Sequence, residues 1–282
     1  MRFGVNTWVW VSPLTDADVM RLVPHVAAMG FDWIEFPIEF PDGFDYARAG
    51  ALAREYGLGV SVAAVISPDR DLIHPDESIR VNGAAYVRHC IDAAHTMGAP
   101  ILIGPLYSAV GRTWQMTTGE RDRDTRVLVD QLYHLASYAS ERGVTLAIEP
   151  LNRFETSFIN LSSQAMAIVD QVAHPSCQIM LDTFHMNIEE TSLGDAIRSA
   201  GSRLRHVHAS ENDRGTPGAG HIPWQEVAAG LRDIGYNNAI VIESFANSVK
   251  TIARAAAIWR PLARSQDALA QEGLVFLRGL LT

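Results

Sequence analysis

The chain has 282 residues, 48% of them hydrophobic and 20% charged, enough apolar material for a sizeable core and a normal length for one α/β barrel. Its net charge of −9 counts against nucleic acid as the main partner, because a phosphate backbone calls for a basic surface. The two cysteines, Cys90 and Cys177, make no disulfide framework, no apolar run nears the roughly 20 residues that span a bilayer, and no signal-peptide pattern opens the chain, so a cytoplasmic protein without a membrane partner is expected.

A strand–helix alternation runs through the whole length. The apolar segment 3–7 reads as a first strand. Residues 15–29 follow with helical spacing (Val19, Leu22, Val23, Val26), and Gly30 stands at the C-cap position. Strand 33–38 leads to helix 46–56, which is stopped by Gly57. Strand 58–65 leads to the long helix 76–97, stopped by Gly98, and strand 101–106 to helix 121–142, stopped by Gly143. Strand 144–151 is followed by helix 162–172, and strand 178–182 by helix 193–200. Strand 204–209 is followed by helix 223–234, with Gly235 behind it, and strand 239–245 is the eighth. A last helical region begins at Val249, breaks near Pro261 and continues as a further helix to the C-terminus.

These strands are unbroken Val/Ile/Leu runs, the composition of a parallel sheet buried on both faces. Eight strands alternating with eight helices predict a closed (β/α)8 TIM barrel over residues 1–282, with an extra C-terminal helix. A doubly wound open sheet would carry a Gly-rich phosphate loop after the first strand, and Gly4-Val5-Asn6-Thr7 is not one.

In such a barrel the side chains at the C-terminal strand ends meet at one mouth. The fifth strand ends in Glu149, the sixth in Asp182 and the eighth in Glu243, and the seventh carries His206 and His208. His206 and His208 point to the same side, and His208, nearer the strand's end, is expected to reach the mouth. His206 is expected one layer down as a hydrogen-bonded partner. Each residue alone has a plain explanation as a solvated or ion-paired strand end, and Asp182 could simply cap the next helix. Four such residues at one level are harder to dismiss. Three carboxylates together repel one another unless a cation joins them. Three oxygen donors with one imidazole suit one divalent ion per subunit, Mn²⁺, Co²⁺ or Mg²⁺, better than a cysteine-rich structural zinc site.

The segments Asn152-Arg153-Phe154-Glu155, Leu181-Asp182-Thr183-Phe184-His185-Met186-Asn187-Ile188-Glu189-Glu190, and Pro217-Gly218 with Pro223-Trp224 resemble the ketose 3-epimerases. These are the D-tagatose and D-psicose (allulose) 3-epimerases of the xylose-isomerase-like barrels, and the resemblance is densest from Glu149 to Phe245. By position it implies metal ligands at Glu149, Asp182, His208 and Glu243, proton transfer by Glu149 and Glu243, and substrate contacts at Glu155, His185 and Arg214. Glu211 is a weaker candidate for a supporting role. Trp114, in the loop after the fourth strand, falls where the family often has an aromatic wall, and Trp8 and Trp10 are further aromatic candidates, each equally open to a core or dimer-interface role. Asn6 stands where members carry an aromatic residue, and Ala63, Ala64 and Val65 stand where several carry cysteine or glycine. Those positions are expected to face the C4–C6 end of the sugar.

The chemistry agrees with the resemblance. Inverting C3 of a ketose means removing a weakly acidic proton beside the C2 carbonyl. A divalent ion chelated by O2 and O3 would polarise that carbonyl and stabilise the enediolate. One carboxylate takes the proton from one face and a second returns a proton on the other, so either epimer serves as substrate. D-fructose/D-psicose, D-tagatose/D-sorbose and ketopentose pairs all meet this description, and a dimer or tetramer is expected from the family. Three other readings compete: a hydroxypyruvate isomerase or inosose-type enzyme on the same barrel, an abasic-site nuclease, and a sugar-binding barrel without catalysis. The nuclease chemistry uses a multi-zinc cluster with many His ligands, which an acidic chain with 10 histidines fits poorly.

Overall fold

The computed structural model describes residues 1–246 and 257–282. Eight parallel strands close a barrel in sequence order: β1 (Arg2–Asn6), β2 (Trp33–Pro37), β3 (Gly59–Ala63), β4 (Ile101–Gly104), β5 (Thr145–Ile148), β6 (Cys177–Asp182), β7 (Leu204–Ala209) and β8 (Ala239–Ile242), with β8 pairing back onto β1. The helices around it are α1 (Asp16–Ala28), α2 (Tyr46–Glu55), α3 (Glu77–Met97), α4 (Thr118–Ser140), α5 (Ser162–Val172), α6 (Thr183–Glu189), α7 (Leu193–Ala200), α8 (Trp224–Asp233) and α9 (Gln266–Leu281). The sequence thus predicts the (β/α)8 barrel and its C-terminal helix correctly. The last helical region expected from Val249 begins among residues 247–256, outside the described residues. No helix among the described residues is long and apolar enough to cross a membrane.

Local chemistry explains the boundaries. The side chains of Thr15, Asp45 and Asp76 accept the first free backbone N–H groups of α1, α2 and α3. Helix α4 starts earlier than its apolar periodicity suggests, because Thr117 and Glu120 form a reciprocal capping box ahead of the first buried leucine. Helix α6 is the one α-helix among the described residues that the sequence reading treats as loop. Several strands end sooner than their apolar runs, since the following residues leave the ladder to build the mouth. Gly104 marks one such exit: its φ is +124°, and a Cβ there would lie 2.2 Å from the Ala64 carbonyl oxygen.

The main core lies between strands and helices, and α9 adds Leu269, Leu274 and Leu277 to it. That helix packs on the barrel: Gly273 backs onto Ile242 and Pro217, and the Phe276 ring meets Trp224 at 5.6 Å. Inside the barrel, Trp33, Ala239 and Val241 pack together. In the register, Asn6 lies beside Glu35 and Glu35 beside Ser61, so three polar side chains on consecutive strands share one level.

Candidate active site

Strand ends β5 to β8 bring Glu149, Asp182, His208 and Glu243 together, all nearly excluded from water. Ligand atoms of Asp182, His208 and Glu243 lie within 4.8 Å of one another, and so do those of Glu149, Asp182 and His185, which makes Asp182 the common member of two trios. Asp182 also caps α6, its Oδ1 accepting the Phe184 N–H at 2.8 Å while Oδ2 faces the cluster. The cap and the cluster, rival readings in the sequence, coexist on two oxygens of one carboxylate. The turn that α6 makes then carries His185 back over the mouth.

The histidines divide as their spacing suggests. His208 Nε2 lies 2.7 Å from Glu35 Oε1, and its Nδ1, 3.4 Å from Glu243 Oε1 and 3.9 Å from Asp182 Oδ2, is buried with no hydrogen-bond partner. His206 Nε2 lies 2.9 Å from Glu35 Oε2 one level below. Glu35 also accepts hydrogen bonds from Asn6 Nδ2 at 2.9 Å and Ser61 Oγ at 2.7 Å. Burial would raise the Glu35 pKa, but the neighbouring His208 and His206 overcome it and hold the carboxyl well below the usual carboxylate range. Burial would lower the His208 pKa, but Glu243 and Glu35 overcome it and raise the pKa well above the usual imidazole range. Nδ1 therefore holds a proton among the carboxylates that a cation would replace, while Nε2–H stays on Glu35 as in a metal-ligating imidazole backed by an acid. The donor set therefore fits a divalent cation.

Arg214 now provides the compensating charge. Its Nη1 is 2.5 Å from Asp182 Oδ2 and 2.7 Å from Glu243 Oε2, and its Nη2 is 3.2 Å from His185 Nε2. The guanidinium lies over the Phe184 ring at 4.1 Å and the Phe245 ring at 5.2 Å. It is buried, and its backbone is held at φ +64° with Ser244 Oγ donating to its carbonyl at 2.6 Å. A strained non-glycine backbone that the fold actively holds is common where a side chain must be aimed.

His185 has its tautomer set by Asn152. Its Nδ1 faces the Asn152 backbone N–H at 3.1 Å and the Asn152 Nδ2 at 2.9 Å. The Asn152 amide cannot turn over without loss, because its Oδ1 accepts the Phe154 N–H at 2.9 Å. Nδ1 is therefore an acceptor and the ring proton sits on Nε2, so Arg214 Nη2 at 3.2 Å is a second donor beside it and not its hydrogen-bond partner. Burial, then Arg214, depress the His185 pKa to about 3, so the ring is a neutral donor at physiological pH. Asn152 Nδ2 also reaches Glu155 Oε1 at 2.8 Å, and burial lifts the pKa of that carboxyl. Arg153, its neighbour in sequence, pairs elsewhere, with Nε donating to Glu189 Oε1 at 2.9 Å.

The two strand-end glutamates sit in unlike fields. Burial, reinforced by Glu243 and Asp182, raises the Glu149 pKa well above the carboxyl range despite His208 and Arg214. Glu243 is buried too, but His208 and Arg214 outweigh burial and lower it. A pair of acids pushed apart in this way is the arrangement that lets one hold a proton while the other accepts one.

A cavity of about 270 Å³ opens over these groups, walled by Glu149, Glu155, His185, His208, Arg214 and Glu243 on one side and by Trp8, Ile38, Ala63, Val65, Ile103 and Pro105 on the other. Ala63 is in the wall, as expected. Trp114 is not: it is 56% exposed, outside the lining, with the Arg112 guanidinium 4.9 Å over its ring. Asn6 is buried outside the lining as well, its side chain spent on Glu35 and the Trp8 N–H. Trp10 donates to Asp267 at 2.7 Å and ties the β1 end to α9. Glu211 accepts from the N–H groups of Gly218 and Ile222 and from Trp224 Nε1, which folds the loop after β7. Glu35 escaped the sequence reading altogether. Its signal was a lone carboxylate inside the apolar run Trp33-Ile34-Glu35-Phe36, a place no unpaired charge occupies.

The chain matches the xylose isomerase-like TIM barrel family over residues 23–279. It is 34% identical over 270 residues to the D-psicose 3-epimerase of Ruminiclostridium cellulolyticum, covering 95% of this chain and 92% of that one. It is 30% identical over 281 residues to the L-ribulose 3-epimerase of Methylomonas sp., covering 99% and 97%. Among solved structures, D-psicose 3-epimerase with D-tagatose from Clostridium cellulolyticum H10 superposes with a TM-score of 0.90 at 33% identity, covering 100% of this chain and 99% of that one.

Proposed function

The chain belongs to the ketose 3-epimerases of the xylose isomerase-like TIM barrel family, and from that premise we propose that it inverts C3 of a free ketose, one carboxylate removing the C3 proton and a second carboxyl group delivering a different proton from the opposite face. The observation that carries this reading is the pair Glu149 and Glu243, both bordering one cavity and Asp182, with pKa values driven in opposite directions. Held by Glu149, Asp182, His208 and Glu243, a divalent cation such as Mn²⁺, Co²⁺ or Mg²⁺ would supply Lewis-acid polarisation of the C2 carbonyl.

The side chains do the rest. Glu243, ionised, takes the C3 proton as the C–H electron pair moves toward C2 and its oxygen. Glu149, which borders the same cavity, returns a proton to C3 from the other face. For the opposite epimer the two exchange roles, since each ends a turnover in the other's starting state. His185 Nε2–H and the Arg214 guanidinium donate to the oxygens at C1–C3 and stabilise the charge that develops there. Glu155, next to Asn152, offers a carboxyl oxygen to O1. The candidate ketoses are the D-fructose/D-psicose, D-tagatose/D-sorbose and ketopentose pairs; D-psicose and L-ribulose are the sugars in the relatives' names.

D-fructose incubated with the enzyme and Mn²⁺ in D₂O should yield D-psicose carrying deuterium at C3. Both Glu149→Gln and Glu243→Gln should lower turnover by about a thousandfold or more, as loss of an essential acid or base does. A ketose panel showing no C3 inversion with Mn²⁺, Co²⁺ or Mg²⁺ refutes the proposal.

A further inference from the structure

We infer that Glu39 is a specificity residue that hydrogen-bonds a hydroxyl on the C4–C6 end of an uncharged ketose, an inference that rests on the ketose-epimerase reading above. The cavity has two unlike halves. Chain ends from β5 to β8 furnish its carboxylates, imidazoles and guanidinium, while those from β1 to β4 furnish Trp8, Ile38, Ala63, Ala64, Val65, Ile103, Gly104, Pro105 and, two residues past the end of β2, Glu39. Glu39 is the one ionisable side chain among the described residues on that second half of the lining.

It is also held there. Glu39 Oε1 accepts hydrogen bonds from Trp8 Nε1 at 3.2 Å and from Ser12 Oγ at 2.5 Å. The other oxygen, Oε2, is buried and has no partner. A buried carboxyl oxygen left without a partner is costly, so the group carries hydrogen-bonding capacity that the protein does not use. Burial raises the Glu39 pKa against the pull of Ser12 and Trp8, consistent with a carboxyl in an under-solvated wall.

Position completes the argument. The Trp8 ring that holds Glu39 lies 5.7 Å from the Phe245 ring, and the Phe245 ring lies 5.2 Å from the Arg214 guanidinium. Two aromatic rings therefore separate Glu39 from the group that faces the reacting end. A ketose with C1–C3 among the carboxylates must send its tail across this apolar half, where Glu39 is the available polar anchor. No cationic side chain among the described residues lines that half, so none of them receives a phosphate on the tail.

The test compares wild type, Glu39→Leu and Glu39→Gln on D-fructose, its 4-, 5- and 6-deoxy analogues and D-fructose 6-phosphate, with Mn²⁺ affinity measured by calorimetry. Glu39→Leu should raise KM and cut kcat/KM for D-fructose by about 10- to 100-fold, the loss expected for one hydrogen bond to a carboxyl. On one deoxy analogue, already weakened in wild type by a similar factor, the same substitution should change little. Glu39→Gln, which keeps an acceptor, should recover most of the loss, and all three proteins should bind Mn²⁺ alike. Equal losses on D-fructose and on every deoxy analogue, a parallel fall in Mn²⁺ affinity, or preference for the phosphorylated sugar overturns the inference. If wild type inverts C3 of no ketose, the functional reading fails by itself, and calorimetric binding of the same sugars then decides on Glu39: weaker D-fructose binding to Glu39→Leu than to wild type sustains it, and equal or absent binding overturns it.

Discussion

Glu35 is buried under the carboxylate cluster, and replacing it separates what its charge does from what its shape does. Leucine at this position leaves Asn6 Nδ2, Ser61 Oγ and His208 Nε2 without their acceptor in the barrel interior. Breaking a buried charged network by removing one partner costs about 3–5 kcal/mol. Unfolding entropy near 2.1 cal/mol/K per residue, taken over 282 residues, is about 0.6 kcal/mol/K, so Glu35→Leu should lower the unfolding midpoint by about 5–8 °C. Glutamine is milder. Its oxygen can still face Asn6 and His208 while its amide faces Ser61 and His206, and only the charge is lost. That is about 1–2 kcal/mol, or about 2–3 °C. The site should feel it more than the fold does. With a neutral partner behind Nε2, His208 Nδ1 becomes a poorer donor, and Mn²⁺ affinity should fall about 10- to 100-fold. Thermal melts without metal and calorimetric titration with Mn²⁺ read the two effects separately. A Glu35→Gln protein with wild-type metal affinity would refute the orienting role, and a Glu35→Leu protein that melts with wild type would refute the buried network.

Other expectations follow from the same geometry. Asn152→Asp with Glu155→Gln should put a proton on His185 Nδ1 in place of Nε2 and lower kcat by about 10- to 100-fold, with the change visible in the ¹⁵N shifts of the ring; unchanged shifts and turnover would remove Asn152 from the tautomer argument. Because the folded His185 pKa is depressed to about 3 from 6.5, its contribution to stability is complete above about pH 6.5 and declines as the pH falls toward 3. The slope in that window is about 1.4 kcal/mol per pH unit, and urea midpoints of wild type should show a component there that His185→Gln lacks. Trp114→Ala should leave kcat/KM within about threefold of wild type, as for other exposed side chains away from a site, whereas a tenfold loss would return Trp114 to the cavity wall. Chelation should abolish turnover, and added Mn²⁺ or Co²⁺ should restore it together with a higher melting midpoint.

The barrel and the strand-end cluster were legible because both depend on short-range regularities. An apolar run marks a buried strand, its last polar residue marks the mouth, and four such residues needed no contact information to be grouped. Glu35 and Glu39 were not legible on that logic. Glu35 lies within its strand, and its meaning comes from His208, 173 residues away, which only closure of the barrel brings to 2.7 Å. Glu39 lies just past a strand end in the first half of the chain, and what distinguishes it is the apolar company of Ala63, Ile103 and Pro105, supplied by other strands. Helix α6 was hidden for a different reason: its N-cap, Asp182, doubles as a site residue, so one signal carried two messages. Trp114 shows the converse error, since an aromatic residue in a mouth loop is free to turn outward onto Arg112. Sequence periodicity therefore locates the groups that do chemistry at strand ends. The groups that aim them, Glu35 behind His208 and Asn152 behind His185, depend on which strands and turns become neighbours, and that is decided by the fold.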